Sequence, residues 1–130
     1  RADEELGEDA PPGNDTLADI VVPWEAAALP VRDAGVRLAY ARLGLVLGPD
    51  GGALAKMLPA FKAFVGGPLG DGKQWFSWVH VHDVVRAILF AIDGDLQGPF
   101  NVTAPHPVTM SELAKAIGAA LGRPSFFRVT

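Results

Sequence analysis

"QWFSWVHVHDVVRAILFAI", residues 74–92, decides how the rest of the chain is read. "QWFSWVHV" is rich in aromatic and β-branched residues and reads as a strand. "DVVRAILFAI" follows at once and reads as a strongly apolar helix. Asp83 stands at the junction. A carboxylate there is suited to accept from the free N–H groups of the first helical turn, so Asp83 reads as the helix cap. His80 is then a strand-end residue with its imidazole satisfied locally. A strand that runs directly into a helix is part of a β-α-β arrangement, and the flanking segments extend it.

Downstream, "GDLQGP" turns the chain and "FNVT" reads as a short buried strand. "TMSELAKAIGAALG" carries a helix start at Thr109 or Ser111, a face of Leu113, Ile117 and Leu121, and a stop at Gly122. Upstream, "GGPLGDG" reads as a flexible glycine loop. "ALAKMLPAFKAFV" reads as a helix interrupted at Pro59, and "VRLAYARLGLVLG" as a strand over 36–48. Leu17, Ile20, Val21, Trp24, Ala27 and Ala28 follow helical spacing after a cap at Asn14 or Asp15. Pro23 removes a backbone donor there, which predicts a kink or two shorter helices before Gly35 stops the run. The order α-β-α-β-α-β-α predicts an α/β fold with at least some parallel strands. It fits part of a doubly wound sheet whose other strands lie upstream of Arg1.

Composition limits the function. The chain has 130 residues, 49% of them hydrophobic, which suffices for one modest core. The net charge of −4 is confined to the opening "RADEELGED", and the rest of the chain balances. Neither a nucleic-acid footprint nor a polybasic membrane patch is present. With no cysteine there is no disulfide, thiolate nucleophile or cysteine-rich zinc site, which suits a reducing, cytoplasmic setting. No apolar run is long enough to span a bilayer.

The residues offer four candidate chemistries. "GPLGDGKQ" nearly matches the phosphate loop G-x-x-x-x-G-K-[ST], but Gln74 lacks the hydroxyl and the loop leads into a strand instead of a helix. His80 and His82 share a face if the strand continues, yet a catalytic zinc needs three protein ligands and no spacing nominates His106 or a carboxylate as the third. No G-x-G-x-x-G occurs. The single tyrosine, Tyr40, is followed four residues later by Gly44, so no Y-x-x-x-K exists, and Tyr40 reads as a core strand residue. Among Trp75, Phe76 and Trp78, at least one face is expected to pack in the core.

"GLVLGPDGGALAKMLPAF", "GGPLGDGKQWFSWVHVHDVVRAILFAI" and "GPFNVTAPHPVTMSELAKAIGAALGRP" together resemble the sugar-nucleotide epimerase-like, atypical short-chain dehydrogenase/reductase proteins of the NAD-dependent epimerase/dehydratase superfamily. The resemblance covers nearly the whole chain in unbroken order. It implies the C-terminal part of a Rossmann-type doubly wound sheet with a small substrate-binding α/β portion. Residues 1–14 would be an acidic lead-in and residues 66–74 a glycine-rich ligand loop. The cofactor would be NADP or NAD, bound mainly by an upstream half and approached here by backbone at Gly44, Leu45 and Val46. An unidentified small molecule would meet Gln74, Trp75, Ser77 and His80, and Asp83 would be structural. Ordinary members carry a Tyr-x-x-x-Lys dyad ahead of an acid. Aligning Glu25 with that acid puts Leu17 and Val21 in the dyad positions, where neither can transfer a proton. Leu45 stands where an asparagine commonly reaches substrate. Phe76 stands where an arginine often holds the pyrophosphate, so a nucleotide sugar is a poor fit.

Overall fold

The computed structural model describes residues 3–127. Its elements run α1 (Thr16–Ala26), α2 (Leu29–Asp33), β1 (Ala39–Leu43), β2 (Leu45–Leu47), α3 (Gly52–Lys62), β3 (Trp75–Phe76), β4 (Trp78–His80), α4 (Val81–Asp93), β5 (Gly98–Val102), β6 (Val108–Thr109) and α5 (Met110–Leu121). β1 lies parallel to β5, with Ala39 opposite Gly98 and Leu43 opposite Val102. β2 lies parallel to β4, and β3 pairs antiparallel with β6. The expectation of an α/β chain with parallel strands is met.

The helix ends follow local chemistry. Asp15 caps α1 by accepting from the Ala18 N–H at 2.9 Å. Thr109 opens α5 with a capping box: its hydroxyl accepts from the Glu112 N–H, and the Glu112 carboxylate accepts from the Thr109 N–H at 2.7 Å. That backbone N–H, together with the Thr109 hydroxyl, holds the Glu112 carboxyl below the usual carboxylate range. Gly122 closes α5 at φ +62°, a left-handed conformation natural to glycine. The guanidinium of Arg37 donates to the carbonyls of Ala91, Ile92 and Leu96 at 2.6–3.0 Å, which ties the end of α4 to the residues before β1.

Several boundaries differ from the sequence expectation. The two prolines do not interrupt their helices: α1 runs through Pro23 and α3 through Pro59. The first region does form two helices, but the break is at Ala27 and Ala28. A proline forfeits one helical hydrogen bond, and both prolines sit on exposed faces where water can satisfy the freed carbonyl. The expected strand over 36–48 splits at Gly44, and the strand before Asp83 splits at Ser77. These two breaks meet: the Leu45 N–H donates to the Ser77 carbonyl at 2.7 Å, while the Gly44 N–H donates to Val102 at 3.1 Å. A Cβ on Gly44 would collide with that same Ser77 carbonyl, so only glycine permits the approach.

Two clusters form the core. Phe61, Met110, Leu113, Ala114 and Ile117 bury the contact of α3 with α5, and Leu45 and Phe76 pack against them. Val79, Val84 and Val102 bury the contact of α4 with β4 and β5, joined by Val46 and Phe100. α1 contributes no buried residue. On β5, the Gly98 N–H and the Val102 carbonyl face β1, so by alternation Pro99 and Asn101 turn outward. Pro99 has no N–H there, and the Asn101 N–H donates to the Glu8 carboxylate at 2.8 Å.

Candidate functional site

The strand ends and the loop after α3 bring most of the expected site residues near one another. Gly44 and Ser77 meet directly through backbone. Leu45 and Val46 turn into the two core clusters, so side-chain chemistry from either is not on offer. Phe76 is likewise half-buried against the α3–α5 cluster. Of the three aromatics here, Trp75 is 47% exposed, and the half-buried Trp78 donates its indole N–H to the His106 carbonyl at 3.0 Å.

The glycine loop 66–74 is fastened at several points, contrary to the flexible connection expected. Gly66 is buried against the Phe61 ring and Gly67 against the Phe127 backbone. The Ser111 N–H donates to Gly72 and the Met110 N–H to Gln74, each at 2.9 Å. These bonds use the first free donors of α5, so the helix start serves the loop. Gln74 turns its side chain back to the Leu69 carbonyl at 3.0 Å. Trp75 points the other way, and its indole N–H donates to the Asp3 carboxylate at 2.7 Å.

At the opening stretch, the cap lies three residues earlier than expected. α4 starts at Val81, and the exposed His80 is its N-cap, with Nδ1 accepting from the His82 N–H at 3.2 Å. Asp83 sits instead in the first turn, where a negative charge is favourable, and lies 3.7 Å from Arg86. The imidazoles of His80 and His82 meet edge to face at 4.9 Å. Among the described residues, no group of three His, Cys, Asp or Glu side chains is placed to hold a metal.

An ion pair that sequence reasoning did not single out lies on the opposite sheet face. Arg42 in β1 makes two 2.8 Å hydrogen bonds to the Glu25 carboxylate in α1. This arginine holds the Glu25 carboxyl below the usual carboxylate range, and the pairing raises the Arg42 guanidinium further. Tyr40, half-buried in β1, donates its hydroxyl to the Glu25 carbonyl at 3.0 Å. The available signal was a lone arginine inside the apolar run "LAYARLGLVLG". Next to the pair, an open apolar cavity of about 520 Å³ lies between α1 and the sheet, with Val21, Val22, Tyr40 and Pro99 in its walls. Leu17 is 72% exposed on α1.

Residues 24–103 match the model of the NAD dependent epimerase/dehydratase family. The chain belongs to that family. An epimerase family protein SDR39U1 homolog of Arabidopsis thaliana, described as chloroplastic, is 48% identical over 94% of this chain and 35% of its own length. The solved structure of human epimerase family protein SDR39U1 (isoform 2) with NADPH superposes at a TM-score of 0.89. It is 36% identical, over 99% of this chain and 44% of that one. A nucleoside-diphosphate sugar epimerase of Corynebacterium glutamicum gives 0.83 at 37% identity, over 99% of this chain and 29% of that one. The chain thus spans less than half the length of these epimerase-family relatives. Among the described residues, no helix is long and apolar enough to cross a membrane.

Proposed function

We propose that this chain is the substrate-side part of an NAD(P)-binding, epimerase/dehydratase-like oxidoreductase. The observation that carries the reading is the likeness to the NADPH-bound human relative over 99% of the chain at 36% identity. On this reading the strand ends at Gly44, Leu45 and Val46 approach the nicotinamide through backbone. Gln74, Trp75, Ser77 and His80 border the small-molecule side. Ligands of open α/β sheets bind beyond the carboxyl ends of the parallel strands; Gly44 directly after β1 and His80 at the end of β4 support this reading. The glycine turn for the pyrophosphate belongs to a preceding half, so the cofactor, NADP or NAD, is held mostly outside these residues. No residue of this chain is assigned a proton-transfer role. The cysteine-free composition is compatible with the cytoplasmic setting of this reading.

One observation favours a second reading. With Glu25 aligned on the family's acid, Leu17 and Val21 fall at the tyrosine and lysine positions, and a hydrocarbon side chain moves no proton. The same fold would then bind a dinucleotide for sensing or assembly without turnover. The test is to titrate NADPH and NADH into the full-length polypeptide carrying this chain and follow cofactor oxidation with a panel of carbonyl compounds. Binding with oxidation supports the oxidoreductase. Tight binding with no oxidation supports the sensing module, and no binding removes both. The 130-residue chain by itself is expected to bind neither cofactor tightly, and micromolar affinity would refute that placement of the dinucleotide site.

A further inference from the structure

The acidic lead-in touches the body of the fold in two regions. One holds Leu6, whose carbonyl accepts from the Asn101 side-chain amide at 3.5 Å, and Glu8. The Glu8 carboxylate accepts from the Asn101 N–H at 2.8 Å, and its carbonyl accepts from the Arg42 guanidinium at 3.0 Å. A turn follows, closed by the Ala10 N–H on the Gly7 carbonyl at 3.1 Å. The other is Asp3, whose carboxylate accepts from the Trp75 indole N–H at 2.7 Å, 72 residues away in sequence. Arg42 and Asn101 stand at the carboxyl ends of β1 and β5. Trp75 stands two residues before Ser77, whose carbonyl accepts from the N–H of Leu45, the first residue of β2, just beyond the end of β1. The lead-in therefore crosses the strand ends, where ligands of such sheets bind.

The two attachments differ in kind. Glu8 is held through both side chain and backbone, and its partner Arg42 is itself fixed by Glu25. Asp3 is held by one hydrogen bond between exposed groups, and residues 3–9 are exposed throughout. Trp75 is the fixed half of that contact. It is paired with Thr109 and follows Gln74, which is bonded to the start of α5.

We infer that residues 3–9 form a strap over the strand ends, anchored at Leu6 and Glu8 and latched by Asp3 on the Trp75 indole. Releasing the latch frees the segment before Leu6 and opens the ligand end, while the anchor at Leu6 and Glu8 stays in place. What the strap covers rests on the function proposed above; the latch itself needs no cofactor. In the full-length polypeptide, a glutamate-specific protease reads the latch through cleavage after Glu4 and Glu5, followed by mass spectrometry. Asp3→Ala and Trp75→Phe are each expected to speed that cleavage about fivefold, the change in opening that one lost hydrogen bond produces. The double variant is expected to match the singles, and Asp3→Asn, which keeps an acceptor, to stay within about twofold of the parent. Unchanged cleavage in Asp3→Ala, or single effects that multiply in the double variant, would overturn the latch. Because Asp3 is exposed, Asp3→Ala decides the matter even where Trp75→Phe misfolds. Stopped-flow release of NADPH is expected to be faster in Asp3→Ala. Faster cleavage with unchanged release overturns the gating. Absent NADPH binding overturns the proposed function, and the cleavage comparison still decides the latch.

Discussion

α1 and α5 are helices of 11 and 12 residues with apolar stripes, and they are held in opposite ways. α5 buries Met110, Leu113, Ala114 and Ile117 against α3, buries Gly118 against Arg123 and Ser125, and is capped at both ends. α1 buries nothing and leaves Leu17, Ile20 and Trp24 exposed; its tie to the sheet is polar, from Glu25 to Arg42 and Tyr40. An apolar stripe says which face of a helix seeks cover. It does not say whether the cover lies within the same 130 residues.

Substitutions in the two regions should separate accordingly. Met110→Ala, at a fully buried side chain, is expected to cost about 2–5 kcal/mol in urea unfolding. A loss under about 1 kcal/mol would mean that the α5 core is not the stable part. Gly44→Ala, between the regions, forces a Cβ onto the Ser77 carbonyl and should cost about 1–3 kcal/mol. Glu25→Gln cuts the polar tie of α1 to Arg42, a part-exposed pair, and should cost about 0.5–1 kcal/mol at neutral pH. Its pH dependence has a definite sign. The folded Glu25 carboxyl titrates lower than it does unfolded, so its contribution is complete above the ordinary glutamate value of about 4.3. It is lost as pH falls through the lower folded value. The stability gap between parent and variant should therefore shrink in acid, and a gap unchanged at pH 3 would contradict the pairing. Leu17→Gln should change the stability of this chain by no more than about 0.5 kcal/mol. A larger loss would show that α1 has cover after all.

The same contrast explains what the sequence made legible. Signals carried by a few neighbouring residues are legible: Asp15 and Thr109 are each one of the two cap candidates the sequence offers, Gly122 stops α5, and the apolar run beginning at Asp83 is helical, though the helix starts earlier, at Val81. Features that need a distant partner are not. The strand breaks at Gly44 and Ser77 are one contact between segments 33 residues apart, and neither segment announces it alone. β6 is two residues long and exists because β3 lies beside it. The glycine loop was legible in composition, but its fastening depends on Phe61, Phe127 and the start of α5. Asp83 was placed as a cap because it fits one, yet the imidazole of His80 takes that position and Asp83 falls into the first turn. Of the residues expected to border ligand, Gln74, Trp75, Ser77 and His80 are all exposed. Leu45 and Val46 point into the core, so only their backbone remains for a cofactor.

The outward side of β5 has a consequence for how this sheet can grow. Pro99 offers no donor there, and Glu8 already occupies the N–H of Asn101. An intruding strand would find its first rungs missing on that side. β1 pairs with β5 alone among the described residues, so its opposite edge remains open. Growth of the sheet is thus one-directional: a further strand adds beside β1, while β5 resists edge-to-edge aggregation.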